Sequence, residues 1–282
     1  MDQKTQVSRP RVWLITGTSS GFGMAIAQQA LAAGDLLIAT ARDCKALEPL
    51  MASASDMITA LELDVTDQDQ IKHVVHDGLL WQGRIDVLVN NAGRGEVSAA
   101  EHTTDKELRD LFDLHVFGPA SIVRAVLPHM RSQRSGTIVQ MSSFGGQVAP
   151  PGFSAYCATK FAIEGYSEAL AAEVAPLGIR VLIVEPGAFR TSFSGPALRE
   201  GRWVDDYEDT VGQTRRMVKS IDGRQPGDPA VAAQRIYDAV TAERAPLRLA
   251  LGDDAVSGIR EHLTSVGAEL DEWAHLSTGT GF

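Results

Sequence analysis

The chain has 282 residues, of which 44% are hydrophobic and 22% are charged, and its formal net charge is −10. This composition can bury a sizeable core, which excludes an intrinsically disordered chain and a small disulfide-stapled scaffold. An acidic chain lacks the basic surface of a general nucleic-acid or anionic-membrane binder, so we expect a small-molecule partner and no nucleic acid.

Cysteine usage and the N-terminal residues bear on the cellular compartment. Cys44 and Cys157 are the only cysteines, and neither belongs to a CxxC pair or a zinc-spaced Cys/His cluster, so we expect neither a disulfide framework nor a metal site. The first ten residues are polar, and no run approaches the roughly 18 apolar residues of a spanning helix. These features predict a cytoplasmic protein without a membrane span.

Short apolar runs alternate along the chain with longer segments whose apolar residues recur at helical spacing. Such alternation predicts parallel strands joined by right-handed crossovers. No linker, repeat or low-complexity tract interrupts it, so we predict a single domain over residues 1–282, a Rossmann-like, doubly wound parallel α/β sheet of about seven strands with helices on both faces. The predicted strands are 11–16, 36–41, 57–63, 87–90, 137–141, 180–184 and 247–251, and the predicted helices are 23–33, 68–80, 105–131 and 155–175.

Two later segments do not fit the alternation. Residues 188–229 are rich in Gly, Arg and Asp but also carry large apolar side chains, which favours a substrate lid over a disordered loop. Residues 255–276 have an apolar stripe at helical spacing, which predicts a C-terminal helix. That stripe could cover the chain's own substrate pocket or pack against another subunit.

A glycine-rich loop, TGTSSGFG from Thr16, follows the first predicted strand and opens a helix. In that context backbone N–H groups and a helix N-terminus can bind a pyrophosphate. A Cβ at Gly17 or Gly21 would hinder the tight turn and the approach of phosphate, and Gly23 would let the helix pack on the strand. The spacing departs from GxGxxG, and the alternative is an ordinary turn.

The end of the second strand bears on the choice of nucleotide. An NAD site normally places a carboxylate there for the ribose 2′-OH, but this chain has Arg42, whose guanidinium would pair with a 2′-phosphate. We therefore expect NADP(H) to be preferred over NAD(H). The alternatives are a solvated arginine, or a register in which Asp43 takes the carboxylate's place.

A tyrosine and a lysine stand four residues apart on the helix-patterned segment 155–175. Tyr156 and Lys160 would share one helix face, and a nearby ammonium favours the phenolate form of a phenol. Ser143, thirteen residues earlier and just after a strand, could donate to a substrate oxygen in the same pocket. The alternative is that Ser143 is a strand-terminal turn residue.

Taken together, these motifs resemble the compact branch of the short-chain dehydrogenase/reductases. The resemblance extends over residues 11–192, in the family's order and at its intervals. It rests on TGTSSGFG from Thr16, Asp64-Val65, NNAG from Asn90, Ser143 with YCATK from Tyr156, and Pro186-Gly187 with Thr191. Arg42 with its surroundings and the long C-terminal tail look most like the hydroxysteroid and retinol dehydrogenase-like subgroup.

The resemblance implies a role for each matching position. Tyr156 would be the proton donor and acceptor, Lys160 would lower its pKa and bind the nicotinamide ribose, and Ser143 would hold the substrate oxygen. Cofactor contacts would come from the phosphate loop (Gly17, Ser19, Ser20, Gly21, Phe22), the adenine side (Arg42, Asp64, Val65), the segment supporting ribose and sheet (Asn91, Ala92, Gly93), and the nicotinamide loop (Pro186, Gly187, Phe189, Thr191).

One position departs from the family pattern. The family's NxxG helix motif, whose asparagine helps a water connect the lysine to solvent, reads His115-Val-Phe-Gly118 here. An imidazole can also bind a water and relay protons. The alternative is that His115 only fills the space of the asparagine between helices.

The motifs favour an NADP(H)-dependent oxidoreductase that interconverts a secondary alcohol and a ketone by hydride transfer, with a lipophilic substrate. Members of the family commonly form dimers or tetramers, so a homodimer or homotetramer is expected. Two alternatives remain: a non-catalytic NADP-binding sensor or partner protein, and a nucleotide-sugar epimerase or dehydratase. The usual epimerase chain is longer and has a separate substrate domain.

Overall fold

The computed structural model describes residues 9–195 and 197–281. The strands are β1 (Val12–Ile15), β2 (Leu36–Ala41), β3 (Ile58–Glu62), β4 (Val87–Asn90), β5 (Gly95–Val97), β6 (Gly136–Met141), β7 (Ile179–Pro186), β8 (Leu198–Glu200) and β9 (Arg248–Leu251). The α-helices are α1 (Gly21–Ala32), α2 (Glu48–Ser53), α3 (Gln68–Gln82), α4 (Asp105–Phe112), α5 (Gly118–Gln133), α6 (Ser154–Val174), α7 (Gln213–Ile221), α8 (Pro229–Thr241) and α9 (Asp253–Ser277).

Seven of the strands form one parallel sheet in the order β3-β2-β1-β4-β6-β7-β9. All seven predicted strands are present, and the predicted Rossmann-like fold is confirmed. The order reverses between β1 and β4, since the chain first builds outward from β1 through β2 and β3 and then returns to β1's other side. In open parallel sheets, ligands bind in the crevice that this reversal leaves at the carboxyl ends of the strands.

The sheet is buried on both faces, which explains why its strands read as continuous apolar runs. One face packs against α1 and α8, and the core there includes Trp13, Ile26 and Ile236. The other face packs against helices α3, α5 and α6, with Leu14 and Val126 in its core. Because helices cover both faces, the strand ends are where polar chemistry can be placed.

The predicted helix 105–131 is interrupted in the structure. Helix α4 ends at Phe112, a π-helical turn follows over Asp113–Phe117, and α5 begins at Gly118. A Cβ on Gly118 would lie 2.4 Å from the carbonyl oxygen of Val65, so only glycine permits this close approach of α5 to the adenine-side strand end. By length and composition the stretch Asp105–Gln133 could cross a membrane, but half of its most apolar window is buried, as in a core helix.

The segment 188–229 is more regular than its composition suggested. It contains β8, which pairs with β5, and the amphipathic helix α7. The sequence reading also missed α8 directly after it. Helix α9 is present as expected. Ala255 is buried and Ile259 and Ala274 are half-buried, whereas Leu263, Val266, Leu270 and Trp273 are exposed in the described chain.

Candidate active site

The glycine loop between β1 and α1 has the backbone geometry of a phosphate cradle. Gly17 and Gly21 have φ of +70° and +56°, which L side chains rarely adopt. A Cβ on Gly23 would lie 2.2 Å from the carbonyl oxygen of Gly17, so this glycine lets α1 pack on the loop. Ser20 precedes α1 without capping it through its side chain in the described structure, which leaves the first-turn N–H groups able to bind an anion.

The segment after β4 ties this loop to the sheet. The amide Nδ2 of Asn91 donates to the carbonyl oxygens of Thr16 at 2.8 Å and Gly17 at 3.2 Å. The backbone N–H of Ala92 donates to the Thr16 hydroxyl at 3.0 Å. These bonds hold the cradle in place without using its outward N–H groups. Gly93 packs against the His115 ring, whose Nε2 would be 3.2 Å from an added Cβ.

The loop after β7, which begins at Gly187, comes close to the glycine loop from the other side. The rings of Phe22 and Phe189 have centroids 5.2 Å apart, and Thr191 borders Gly21. The backbone N–H of Ala188 donates to the Asp254 carboxylate at 2.7 Å, and a Cβ on Gly187 would collide with that carboxylate. Sequence reasoning missed Asp254, which lies 66 residues away, because no local pattern marks this contact.

The adenine-side residues lie at the ends of β2 and β3. Arg42 is exposed there, whereas the Asp43 carboxylate accepts from the N–H of Lys45 at 2.9 Å and so caps its own turn. Asp64 accepts from the N–H and the hydroxyl of Thr66 at 2.9 and 2.7 Å. Both side chains at the end of β2 are exposed, and the Asp43 carboxylate is the one engaged in a local turn.

The predicted catalytic residues meet at the carboxyl ends of β6 and the start of α6. Tyr156 is 6% exposed, and the rings of Phe153, Phe193 and His115 surround its ring with centroids 5.5–5.8 Å away. Lys160 Nζ lies 5.6 Å from the centre of the Tyr156 ring and donates to the carbonyl oxygen of Met141 at 2.8 Å. Ser143, just beyond β6, is half-buried; its hydroxyl accepts from the N–H of Gly145 at 3.0 Å and acts to lower the pKa of the phenol.

Burial dominates the protonation of this pair. It raises the pKa of the Tyr156 phenol well above its usual value, and the Ser143 hydrogen bond opposes that rise. Burial also lowers the pKa of the Lys160 ammonium to about 8, while the charge of Glu164 acts in the opposite direction. The helix spacing predicts that the Lys160 ammonium favours the phenolate, but burial has the larger effect on the phenol. With burial dominating instead, Tyr156 holds its proton at neutral pH.

His115 lies in the π-helical turn with both ring nitrogens engaged. Its Nδ1 is 2.9 Å from the Thr159 hydroxyl, which itself donates to the carbonyl oxygen of Tyr156 at 2.7 Å. Nδ1 must therefore carry the hydrogen, and Nε2 accepts from the N–H of Arg94 at 3.2 Å. Burial, then the nearby Lys160, lower the pKa of His115 well below its usual value. The ring is a neutral bridge between two backbone segments.

We expect the change His115→Ala to cost stability more than rate. It removes a buried ring and leaves the Thr159 and Arg94 groups without their partner, which predicts a loss of about 2–4 kcal/mol in the free energy of unfolding. Urea unfolding measures this loss, and turnover per folded molecule should stay within a few-fold of the wild type. A large rate loss in a stable variant would instead support the proton-relay role.

Several known proteins are similar to this chain. The family model "short chain dehydrogenase" matches residues 11–200. The Oxidoreductase BOA17 of Botryotinia fuckeliana is 36% identical over 95% of this chain and 98% of its own length. The 3-ketodihydrosphingosine reductase of Bacteroides thetaiotaomicron is 35% identical over 86% of this chain and 88% of its own.

Similar solved structures also include short-chain dehydrogenases. A short-chain dehydrogenase from Streptomyces avermitilis is 56% identical and superimposes with a TM-score of 0.93, covering 97% of this chain and 100% of the other. More distant solved members, 25–26% identical, hold NADH or NADP. The family model alone spans more than half of the chain. The chain belongs to the short-chain dehydrogenase/reductase family of oxidoreductases.

Proposed function

We propose that this protein is an NADP(H)-dependent oxidoreductase that interconverts a secondary alcohol and a ketone. The observation that carries the proposal is the meeting of Ser143, Tyr156 and Lys160 at one edge of the sheet, beside a glycine loop whose helix begins without a side-chain cap in the described structure. The bound nicotinamide would supply or accept the hydride at its C4 atom. The protein supplies position, proton transfer and charge.

The protonation of the site suits reduction of a carbonyl group. Tyr156 holds its proton at neutral pH and would donate it to the substrate oxygen as negative charge develops there. The Ser143 hydroxyl would hold the same oxygen, and the Lys160 ammonium, close to the ring, would stabilise the phenolate that remains. In the oxidation direction Tyr156 would take the alcohol proton.

The preference for NADP(H) rests on the end of β2. Arg42 is exposed, and Asp43, the competing carboxylate, is engaged by Lys45 N–H. We expect Arg42→Asp to raise the KM for NADPH by about tenfold to a hundredfold while lowering that for NADH, because a charged hydrogen bond to the 2′-phosphate is replaced by repulsion. Steady-state kinetics with both nucleotides measures the ratio. Lys45→Asp, one turn on, is the matched control, and an unchanged NADPH-to-NADH ratio in Arg42→Asp would contradict the assignment.

The substrate we propose is lipophilic. Phe153 and Phe193 pack around Tyr156, and the 3-ketodihydrosphingosine reductase named above is by its name a reductase of a keto compound. The segment 188–229 would serve as the lid over this substrate. The proposal also includes a homodimer or homotetramer and a cytoplasmic location.

A screen of ketones and secondary alcohols tests the proposal by following NADPH absorbance. Ketones with increasing apolar chain length should give rising kcat/KM, since each buried methylene contributes about 0.8 kcal/mol. NADPH binding without turnover on any of them would favour the non-catalytic sensor. NAD that stays bound through purification would favour the epimerase class.

A further inference from the structure

Helix α6 carries a buried polar face that continues beyond the proposed catalytic pair. Tyr156, Lys160 and Glu164 follow one another at four-residue spacing and are 6%, 7% and 4% exposed. Residues four apart lie on the same side of a helix, so Glu164 is one turn beyond Lys160. A buried carboxylate is costly unless it is paired, and the proposed function gives Glu164 no role.

An arginine from the last strand holds Glu164 and a second buried carboxyl. Arg248 Nε lies 3.1 Å from Glu164 Oε2 and 3.5 Å from Glu185 Oε1. The Gln147 amide donates to the same Glu185 oxygen at 3.0 Å. The other end of the guanidinium binds the exposed Glu168 at 2.7 Å. Two buried carboxyl groups thus share a single guanidinium.

The second oxygen of Glu164 lies near Ser142, just beyond the end of β6. Among the described residues, Glu164 Oε1 and Ser142 Oγ are both buried without a hydrogen-bond partner. Both border Gly146, whose added Cβ would be 3.0 Å from the first and 2.4 Å from the second. Ser142 directly follows Met141, the residue whose carbonyl oxygen binds Lys160 Nζ. The end of β6 thus brings the Ser142 hydroxyl beside Glu164 and the Met141 carbonyl oxygen to the ammonium of Lys160.

The two carboxyl groups do not ionise independently. Burial raises the pKa of Glu185 to about 7, and the charge of Glu164 raises it further. Burial also raises the pKa of Glu164, while Ser142 and Arg248 oppose the rise. Arg248 Nε lies closer to Glu164 than to Glu185, which favours Glu164 as the carboxylate when the pair holds one proton. Its negative charge raises the pKa of Lys160 against burial.

We propose that Glu164, held by Arg248 and Glu185, is a positioning residue that keeps the Lys160 amine protonated beside Tyr156. The charged and titratable groups that face it are Lys160 and Glu168 from α6, Glu185 from β7 and Arg248 from β9. The inference rests on the proposed function, since it assigns Lys160 the part described there. His115 does not supply this charge, because its ring is neutral.

The test is the titration of Lys160 in the cofactor-free protein with and without the Glu164 charge. In protein labelled with 13C at lysine Cε, the Lys160 signal is the one missing from Lys160→Met. We expect its midpoint near pH 8 in the wild type and about one pH unit lower in Glu164→Gln. That shift is about a tenfold increase in the acid dissociation constant of the Lys160 ammonium. The control Glu168→Gln removes a carboxylate from the exposed side of Arg248 and should leave the midpoint unchanged.

The pH profile of kcat/KM for carbonyl reduction gives a second measurement. Its alkaline limb should move to lower pH in Glu164→Gln by the same amount, and the variant should recover the wild-type rate at the acidic end of the profile. A purely structural role would lower the rate at every pH. If Glu164→Gln does not fold, Glu164→Met removes the same charge without needing a hydrogen-bond partner.

The titration separates this inference from the proposed function, because it needs neither cofactor nor turnover. An unmoved Lys160 midpoint in a folded Glu164 variant overturns the role of Glu164 and leaves the proposed function standing. A shifted midpoint in a protein that reduces no carbonyl compound supports the pairing of Glu164 with Lys160 and overturns the proposed function alone.

Discussion

Tyr156→Phe is expected to lower kcat by about a hundredfold to ten-thousandfold, the range that a positioned proton donor contributes. The phenyl ring fills the same space among Phe153, Phe193 and His115, so the fold and the pocket are preserved. The hydroxyl that would give its proton to the substrate oxygen is lost. Steady-state kinetics measures the rate, and NADPH fluorescence titration should show an affinity within a few-fold of the wild type.

The matched control for this variant is Tyr166→Phe on the same helix. Tyr166 lies ten residues further along α6, is half-buried, and its pKa is also raised by burial. It packs against the core face of the sheet. The control should keep the wild-type rate. Undiminished activity in Tyr156→Phe would remove that residue from the role of proton donor.

Lys160→Met is expected to abolish turnover and to make the fold more stable at neutral pH. Burial lowers the pKa of Lys160 from 10.5 to about 8, so charging it inside the protein costs free energy that methionine does not require. This difference between the two pKa values corresponds to a cost of about 3 kcal/mol in the free energy of unfolding. Losing the hydrogen bond to the Met141 carbonyl oxygen lowers the free energy of unfolding by about 1 kcal/mol. The variant should therefore be more stable than the wild type by about 2 kcal/mol.

The pH dependence of this gain has a definite sign. The unfolded chain keeps the lysine proton up to about pH 10.5, whereas the folded protein releases it near pH 8. Between these values the unfolded state binds more protons, so the wild type becomes more stable as pH rises. The stability advantage of Lys160→Met is therefore complete below pH 8 and fades toward pH 10.5.

Urea unfolding of both proteins at pH 7 and pH 10 measures the gain and its pH dependence. Lys72→Met is the control, because the Lys72 side chain is 71% exposed and its replacement removes no buried charge. A variant that is less stable than the wild type at pH 7, or a gain that is equal at both pH values, would contradict the burial of a charged Lys160. Higher stability of Lys160→Met together with loss of turnover is what the stability–activity trade-off at active sites predicts.

Burial reverses the predicted direction of the pKa shift of Tyr156. Sequence spacing placed Tyr156 and Lys160 on one helix face, and α6 confirms that placement. The spacing predicts that the ammonium favours the phenolate, but it contains no information on solvent access. In the folded protein both groups are enclosed, and desolvation favours the neutral form of each.

The sequence by itself determined the parts whose signals are local. The seven strands, the glycine loop and the Tyr156–Lys160 spacing depend on periodicity and backbone conformation, which neighbouring residues dictate. The tertiary structure alone decided the tautomer of His115, the contact of Asp254 with Ala188, and the cluster of Glu164, Glu185 and Arg248. Those contacts join residues 21 to 84 positions apart, and their energies depend on burial, which exists only once the helices have packed onto the sheet.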